Sequence, residues 1–149
     1  MTDVSFYHLQ QSTLEVALPK LLEKTLAAGK RAVVRVGSAQ RVDALNAHLW
    51  AYQPDSWLPH GGAKDGHGEA QPIWLTAEEE NPNGATFLFL ADGAGSETIG
   101  EFERCFELFN GHDDAATQVA RERWKEYKEA GHTVAYWQQN DRGTWEQKA

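Results

Sequence analysis

Apolar and polar positions alternate from Val4 to Leu9, around Phe6 and His8, and predict a first strand. The period then changes. Leu14, Leu18, Leu21, Leu22 and Leu26 recur at helical spacing, with Ser12 or Thr13 as the cap, Glu15 in the first turn and Gly29 closing the helix. Ala32 to Val36 is a β-branched run bounded by Gly37, which predicts a buried second strand. Ser38 then caps a second helix carrying Val42, Leu45 and Leu49 and ending near Trp50. Strand, helix, strand, helix in the first third of the chain is the rhythm of a largely parallel sheet.

Pro54 interrupts the pattern, Ser56 to His60 reads as a short extended segment, and Gly61 to Gly68 is a glycine-rich loop. Pro72–Thr76 and Thr86–Leu90 predict two more strands, separated by the polar turn Glu80–Gly84. The spacing of Ile99, Phe102, Cys105, Phe106 and Phe109 predicts a helix from about Glu97 to Asn110, ended by Gly111. A basic helix follows from about Asp114 to Ala130, then a strand over Thr133–Trp137 and a turn at Asp141–Gly143 before Trp145. No repeat, linker or low-complexity tract divides the pattern. The expectation is one α/β domain over residues 1–149, with a mainly parallel sheet flanked by helices.

Charge narrows the function classes. The chain has 149 residues and a net charge of −8, and Ala77 to Ala116 holds ten acidic residues against the single cation Arg104. Such a balance does not favour direct duplex DNA binding, which rests on many cation–phosphate contacts; the acidic block reads first as a solvated face. The longest apolar run, Phe87 to Ala91, is far short of a membrane span, and Met1 to Ser5 lacks the basic-then-apolar start of a signal peptide. One cysteine, Cys105, excludes an internal disulfide or a cysteine-based zinc cluster. A cytoplasmic protein is expected.

Catalytic chemistry finds little support. There is no Gly-x-x-x-x-Gly-Lys-Ser/Thr sequence, and the turn after the first strand, His8 to Ser12, has no glycine to let a backbone approach pyrophosphate. The Gly37-Ser38 turn could present helix amides to an anion but reads more simply as a cap. His60, Asp65, His67 and Glu69 match no tight metal-ligand spacing. Cys105 lies between apolar neighbours as a buried thiol, and no serine has a nucleophile-elbow context. Neither a metal nor a cofactor is expected. The rival reading is a small nucleotide- or metal-dependent α/β enzyme using the Gly37-Ser38 turn or the His60–His67 loop.

What stands out is the stretch Ala120 to Gly131, where Arg, Lys and aromatic rings concentrate. At about 100° per residue, Arg121, Trp124, Lys125 and Lys128 fall on one stripe, and Ala116, Ala120, Arg123 and Tyr127 roughly on another. Cations beside an indole can hold carboxylates and an aromatic side chain together. A solvated face laced with ion pairs would show the same composition. Trp50, and Trp57 close to Pro59, flank a predicted surface turn and are candidates for an interface anchor or for local packing.

Several segments, in order, resemble the chi subunit of bacterial DNA polymerase III: Leu49-Trp50-Ala51, Ser56-Trp57-Leu58-Pro59-His60, the glycine-rich loop, and Ala120-Arg121-Glu122-Arg123-Trp124-Lys125-Glu126-Tyr127. The opening Phe6-Tyr7-His8-Leu9 and the chain length agree, so the resemblance covers nearly the whole chain. It implies a Rossmann-like three-layer fold without a nucleotide-binding loop, no intrinsic catalysis, and an accessory role in the clamp-loader complex during DNA replication. It further implies binding of the acidic C-terminal tail of single-stranded-DNA-binding protein, which ends in a proline and a phenylalanine. By the same resemblance, Arg121 would hold the terminal carboxylate, Trp124 would wall the phenylalanine site, and Lys125 would attract the aspartates. Thr117 stands where well-known members carry a further basic residue, with Lys128 as a substitute, and Trp124 replaces a commoner tyrosine. The opposite side of the family's domain binds the psi subunit through a surface matching Trp50, Trp57 and Pro59. The second partner is left open between psi, another clamp-loader component and a helicase.

Overall fold

The computed structural model describes residues 2–10, 12–51, 60–62, 67–142 and 144–148. Eight strands and three α-helices are seen among them: β1 (Asp3–Leu9), α1 (Leu14–Ala27), β2 (Ala32–Arg35), α2 (Ala39–Ala51), β3 (Gly61–Gly62), β4 (Ile73–Thr76), β5 (Phe87–Leu90), β6 (Arg104–Asn110), α3 (Asp114–Glu129), β7 (Thr133–Gln139) and β8 (Trp145–Gln147). They form one sheet in the order β3-β4-β2-β5-β6-β1-β7-β8. Every pairing is parallel except β7 with β8. The α/β class and the mainly parallel sheet match the expectation.

Both faces of the sheet are covered. One core gathers Leu14, Leu18 and Leu22 of α1, Val42, Leu45 and Leu49 of α2, and the facing residues of the strands. The other gathers Val4, Phe6, Cys105 and Phe109 under Ala120 of α3. Burial on both faces explains why β2, β4 and β5 read as unbroken apolar runs rather than alternating ones.

The same physics overturns one expectation. Residues 97–110 do not form a helix: only a 3-10 turn over Ile99–Glu101 is helical, and the chain then enters β6 between β5 and β1. Cys105 and Phe109 face the α3 side while Phe106 and Leu108 face the α1 side. A strand apolar on both faces, interrupted by one acidic residue, imitates the spacing of an amphipathic helix. Phe106 stacks on Phe89 at 4.4 Å, a contact that needs the extended register.

Two short strands were not foreseen. β3 lies in the glycine-rich segment, and β8 returns antiparallel on β7, placing Trp145 edge-on against Tyr7 at 4.9 Å. The expected extended segment at 56–60 lies outside the described residues except for His60. That side chain is buried, with its Nε2 3.1 Å from the Asn46 carbonyl.

Pro19 lies inside α1 and cannot donate to the Glu15 carbonyl four residues earlier. His48 of α2 does so instead, through Nε2 at 2.7 Å. Arg41 of α2 adds bonds to Glu15 at 2.5 Å and to Asp92 beyond β5 at 2.6 Å, so α1, α2 and the end of β5 are tied at one corner. Burial alone would raise the Glu15 carboxyl, but Arg41 holds it below its ordinary value.

Candidate functional site

The helix α3 starts where Asp113 accepts hydrogen bonds from the backbone N–H groups of Ala115 (3.0 Å) and Ala116 (3.3 Å). It ends before Gly131, whose φ of 91° takes the left-handed turn that a Cβ would strain. Between these ends the helix has two faces of opposite character. Ala116, Ala120, Trp124 and Tyr127 pack onto the sheet. Arg121, Lys125 and Lys128 are exposed along the flank next to Trp124.

Trp124 stands where the packed face meets the cationic stripe. Its ring lies 5.6 Å from Phe6 and 6.1 Å from Tyr136, leaving it half-buried. The arrangement places an indole edge beside exposed cations, which is chemically suited to an aromatic group bearing a carboxylate. Thr117 donates through its hydroxyl to the Asp113 carbonyl at 3.0 Å, the same carbonyl that accepts its backbone N–H.

Arg123, two residues from Arg121, has a different task. Its guanidinium donates to the Ala94 carbonyl at 2.9 Å, the Gly93 carbonyl at 2.9 Å and Glu107 Oε1 at 2.5 Å. Glu107 is 5% exposed on the central strand β6, with the Tyr127 phenol beside its carboxylate. Burial raises the Glu107 carboxyl, opposed by the Arg123 charge. The same burial, with Glu107 close by, pushes the Tyr127 phenol far above its usual range. Cys105 is fully buried and its thiol is raised well above normal, first by burial and then by Glu107, which makes it an inert core group.

A cleft of about 730 Å³ opens at the carboxyl ends of β1, β5 and β6, between the starts of α1 and α3. Leu9, Asn110 and Val119 line it, with the Arg41–Asp92 pair also on its wall. Among the described residues, no three His, Cys, Asp or Glu side chains come together as a metal site. Among them also, no helix is long and apolar enough to cross a membrane.

Residues that sequence reasoning passed over lie beside Arg121. His8 projects from the end of β1, paired in register with Phe109 of β6, and its ring lies 5.0 Å from Phe109. Its Nδ1 is hydrogen-bonded to the Tyr136 hydroxyl, and Gln10 Nε2 lies 3.1 Å from its Nε2. Burial lowers the His8 imidazole below its ordinary value; a backbone hydrogen bond at Gly111 opposes this, and the charges of His112 and Arg121 push it down further. Only the parallel register brings these rings together; the alternation around Phe6 and His8 was the available signal.

Residues 1–135 match the family described as DNA polymerase III chi subunit, HolC. The chain belongs to the DNA polymerase III chi subunit family. It is 28% identical over 109 residues to a probable DNA polymerase III subunit chi of Rickettsia prowazekii (strain Madrid E), covering 73% of this chain and 66% of that protein. It is 23% identical over 141 residues to DNA polymerase III subunit chi of Escherichia coli (strain K12), covering 88% of this chain and 94% of that one. The partner-subunit candidates Trp57 and Pro59 lie outside the described residues, as does the side chain of Trp50.

Proposed function

We propose that this protein is an accessory subunit linking the clamp-loader complex to single-stranded-DNA-binding protein, by binding that protein's acidic C-terminal tail. The observation that carries this reading is the exposed row Arg121, Lys125 and Lys128 beside the half-buried Trp124 on α3. Arg121 holds the terminal carboxylate with charge-assisted hydrogen bonds, Trp124 flanks the last aromatic ring, and Lys125 and Lys128 attract the aspartates. Ordering a disordered tail opposes these gains. The expected single-site constant is micromolar, about −8 kcal/mol, raised in effect when several tails crowd one DNA strand. The surface around Trp50, Trp57 and Pro59 is assigned to a second partner: psi, another clamp-loader component or a helicase.

Calorimetric titration of a tail peptide into the wild type and Arg121→Ala tests the reading. Micromolar binding that the substitution removes supports it; equal affinity for both proteins overturns it. The cleft at the strand ends favours the alternative of a nucleotide- or metal-dependent enzyme, because ligands of parallel sheets bind at such crevices. A rise in melting temperature with nucleotides or divalent metals, and none with the tail peptide, would favour that alternative.

A further inference from the structure

The two faces of the sheet are not covered to the same extent. On one side α3 packs over β6 and β7. On the other, α1 packs against β6 and α2, and α2 against β3 and β4, so β7 and β8 run out past α1 with no described helix over them. What they show there are Trp137 and Trp145, both half-buried, with ring centroids 6.3 and 4.9 Å from that of Tyr7. In a helical layer the next helix sits about 8–10 Å from its neighbour. That place beside α1 is open.

It forms a groove of about 500 Å³ between the outer flank of α1 and Trp145. Val16, Lys20, Lys24 and Ala27 line the α1 wall, spaced as neighbours along one helix flank. Val16 is 47% exposed, the most of any large hydrophobic among the described residues. Lys20 and Lys24 are exposed, and neither is ion-paired among the described residues. Glu23 is the one carboxylate in the lining. One end of the groove is closed, where Gln139 Nε2 donates to the Ser12 hydroxyl at 2.9 Å and the Ser12 N–H donates to Gln139 Oε1 at 3.1 Å. The other end, at Ala27, is exposed.

We propose that this groove seats an amphipathic helix of a partner protein, with apolar side chains against Val16, Leu21 and Trp145 and carboxylates along the flank that meets Lys20 and Lys24. The occupant is a helix because the groove follows α1 from Val16 to Ala27 and its floor is a sheet face, which layer packing covers with a helix. Its charged flank is acidic because two unpaired lysines stand on the rim, in a chain whose net charge is −8. A basic flank would be repelled there. The surface lies across the sheet from α3 and shares no residue with Arg121, Trp124 and Lys125, so it does not depend on the tail-binding reading.

The test is a fluorescence-anisotropy titration of three synthetic peptides as long as α1. The first is a stapled helix with a leucine and alanine face and a glutamate flank, the second carries lysines on that flank, and the third is the unstapled glutamate peptide with a central proline. The proteins are the full chain as wild type, the double variant Lys20→Glu with Lys24→Glu, Val16→Asp and Arg121→Ala. All four positions are exposed, and circular dichroism checks the fold. Wild type should bind the glutamate helix about fivefold more tightly than the lysine helix, and the double reversal should invert that preference. Val16→Asp should weaken the glutamate helix about tenfold, by setting a charge against its apolar face. Arg121→Ala should leave it within about twofold. Absence of binding, a preference that the double reversal does not invert, or equal binding of the proline peptide overturns the inference. Loss of binding in Arg121→Ala overturns it too, by placing the peptide on α3. Sedimentation showing a dimer that Val16→Asp splits also overturns it, because the occupant would then be a second copy of this chain.

Discussion

Arg121 and Arg123 are the same residue type on the same helix, two positions apart, yet they sit in opposite environments. Arg123 points into the fold, clasping Glu107 and the carbonyls of Gly93 and Ala94. Arg121 lies exposed beside a half-buried aromatic floor. A rotation of about 200° around a helix separates them. The comparison shows that a cation's role on an amphipathic helix follows from what the facing strand supplies. For Arg123 that is a buried carboxylate; for Arg121 it is ring edges and open water.

The sharpest way to break the comparison is to delete each arginine in turn. Arg123→Ala leaves Glu107 as an unpaired buried charge and should cost about 3–5 kcal/mol, measured by urea unfolding. Arg121→Ala should change stability by less than about 0.5 kcal/mol. Equal losses for the two would remove the distinction.

For binding the order of the two arginines reverses. Arg121→Ala should cost about 1.5–3 kcal/mol of tail affinity, the range of hydrogen bonds to charged groups, as read by calorimetry. A smaller effect arises at Gly111. Gly111→Ala sets a methyl 2.0 Å from two atoms of the His8 ring and 2.9 Å from the Leu9 carbonyl oxygen, at a cost of about 1–3 kcal/mol in thermal or urea unfolding, the usual range for overpacking. Unchanged stability would show that the His8 ring and the Leu9 carbonyl do not crowd position 111.

The smallest expected effect is pH dependence. The folded state holds the His8 pKa below its unfolded value, so the unfolded chain binds the extra proton first. His8 therefore contributes stability that is present above about pH 6.5 and declines as pH falls below it. His8→Leu should flatten this part of the profile relative to wild type, followed by unfolding midpoints from pH 7.5 down to 5.5. Identical slopes would mean that the ring titrates alike in both states.

Much of this molecule was readable from local pattern. The leucine stripe of α1, the β-branched run of β2 and the cap and amphipathic spacing of α3 each carry their own signal within a few turns or residues. Arg121, Trp124, Lys125 and Lys128 could be placed on one helix for the same reason. β6 could not be read this way, because Phe102, Cys105, Phe106 and Phe109 fit a helical period equally well. Only its place between β5 and β1 makes an extended chain the form that buries both faces. The Trp124 ring was similarly ambiguous until Phe6 and Tyr136 drew it inward.

The sequence by itself determined the α/β class, most element positions, the chi-family membership and the cationic helix, since each depends on short-range periodicity or on co-linear segments. The tertiary structure decided that residues 104–110 are a strand, that Arg123 is a clasp while Arg121 is exposed, and that His8, Tyr136 and Trp124 meet. The meeting of His8 and Tyr136 depends on parallel register between segments more than a hundred residues apart, and the Arg123 clasp on how α3 packs over Glu107 of β6. No local pattern encodes that register, because it is set by how the two faces of the sheet are covered.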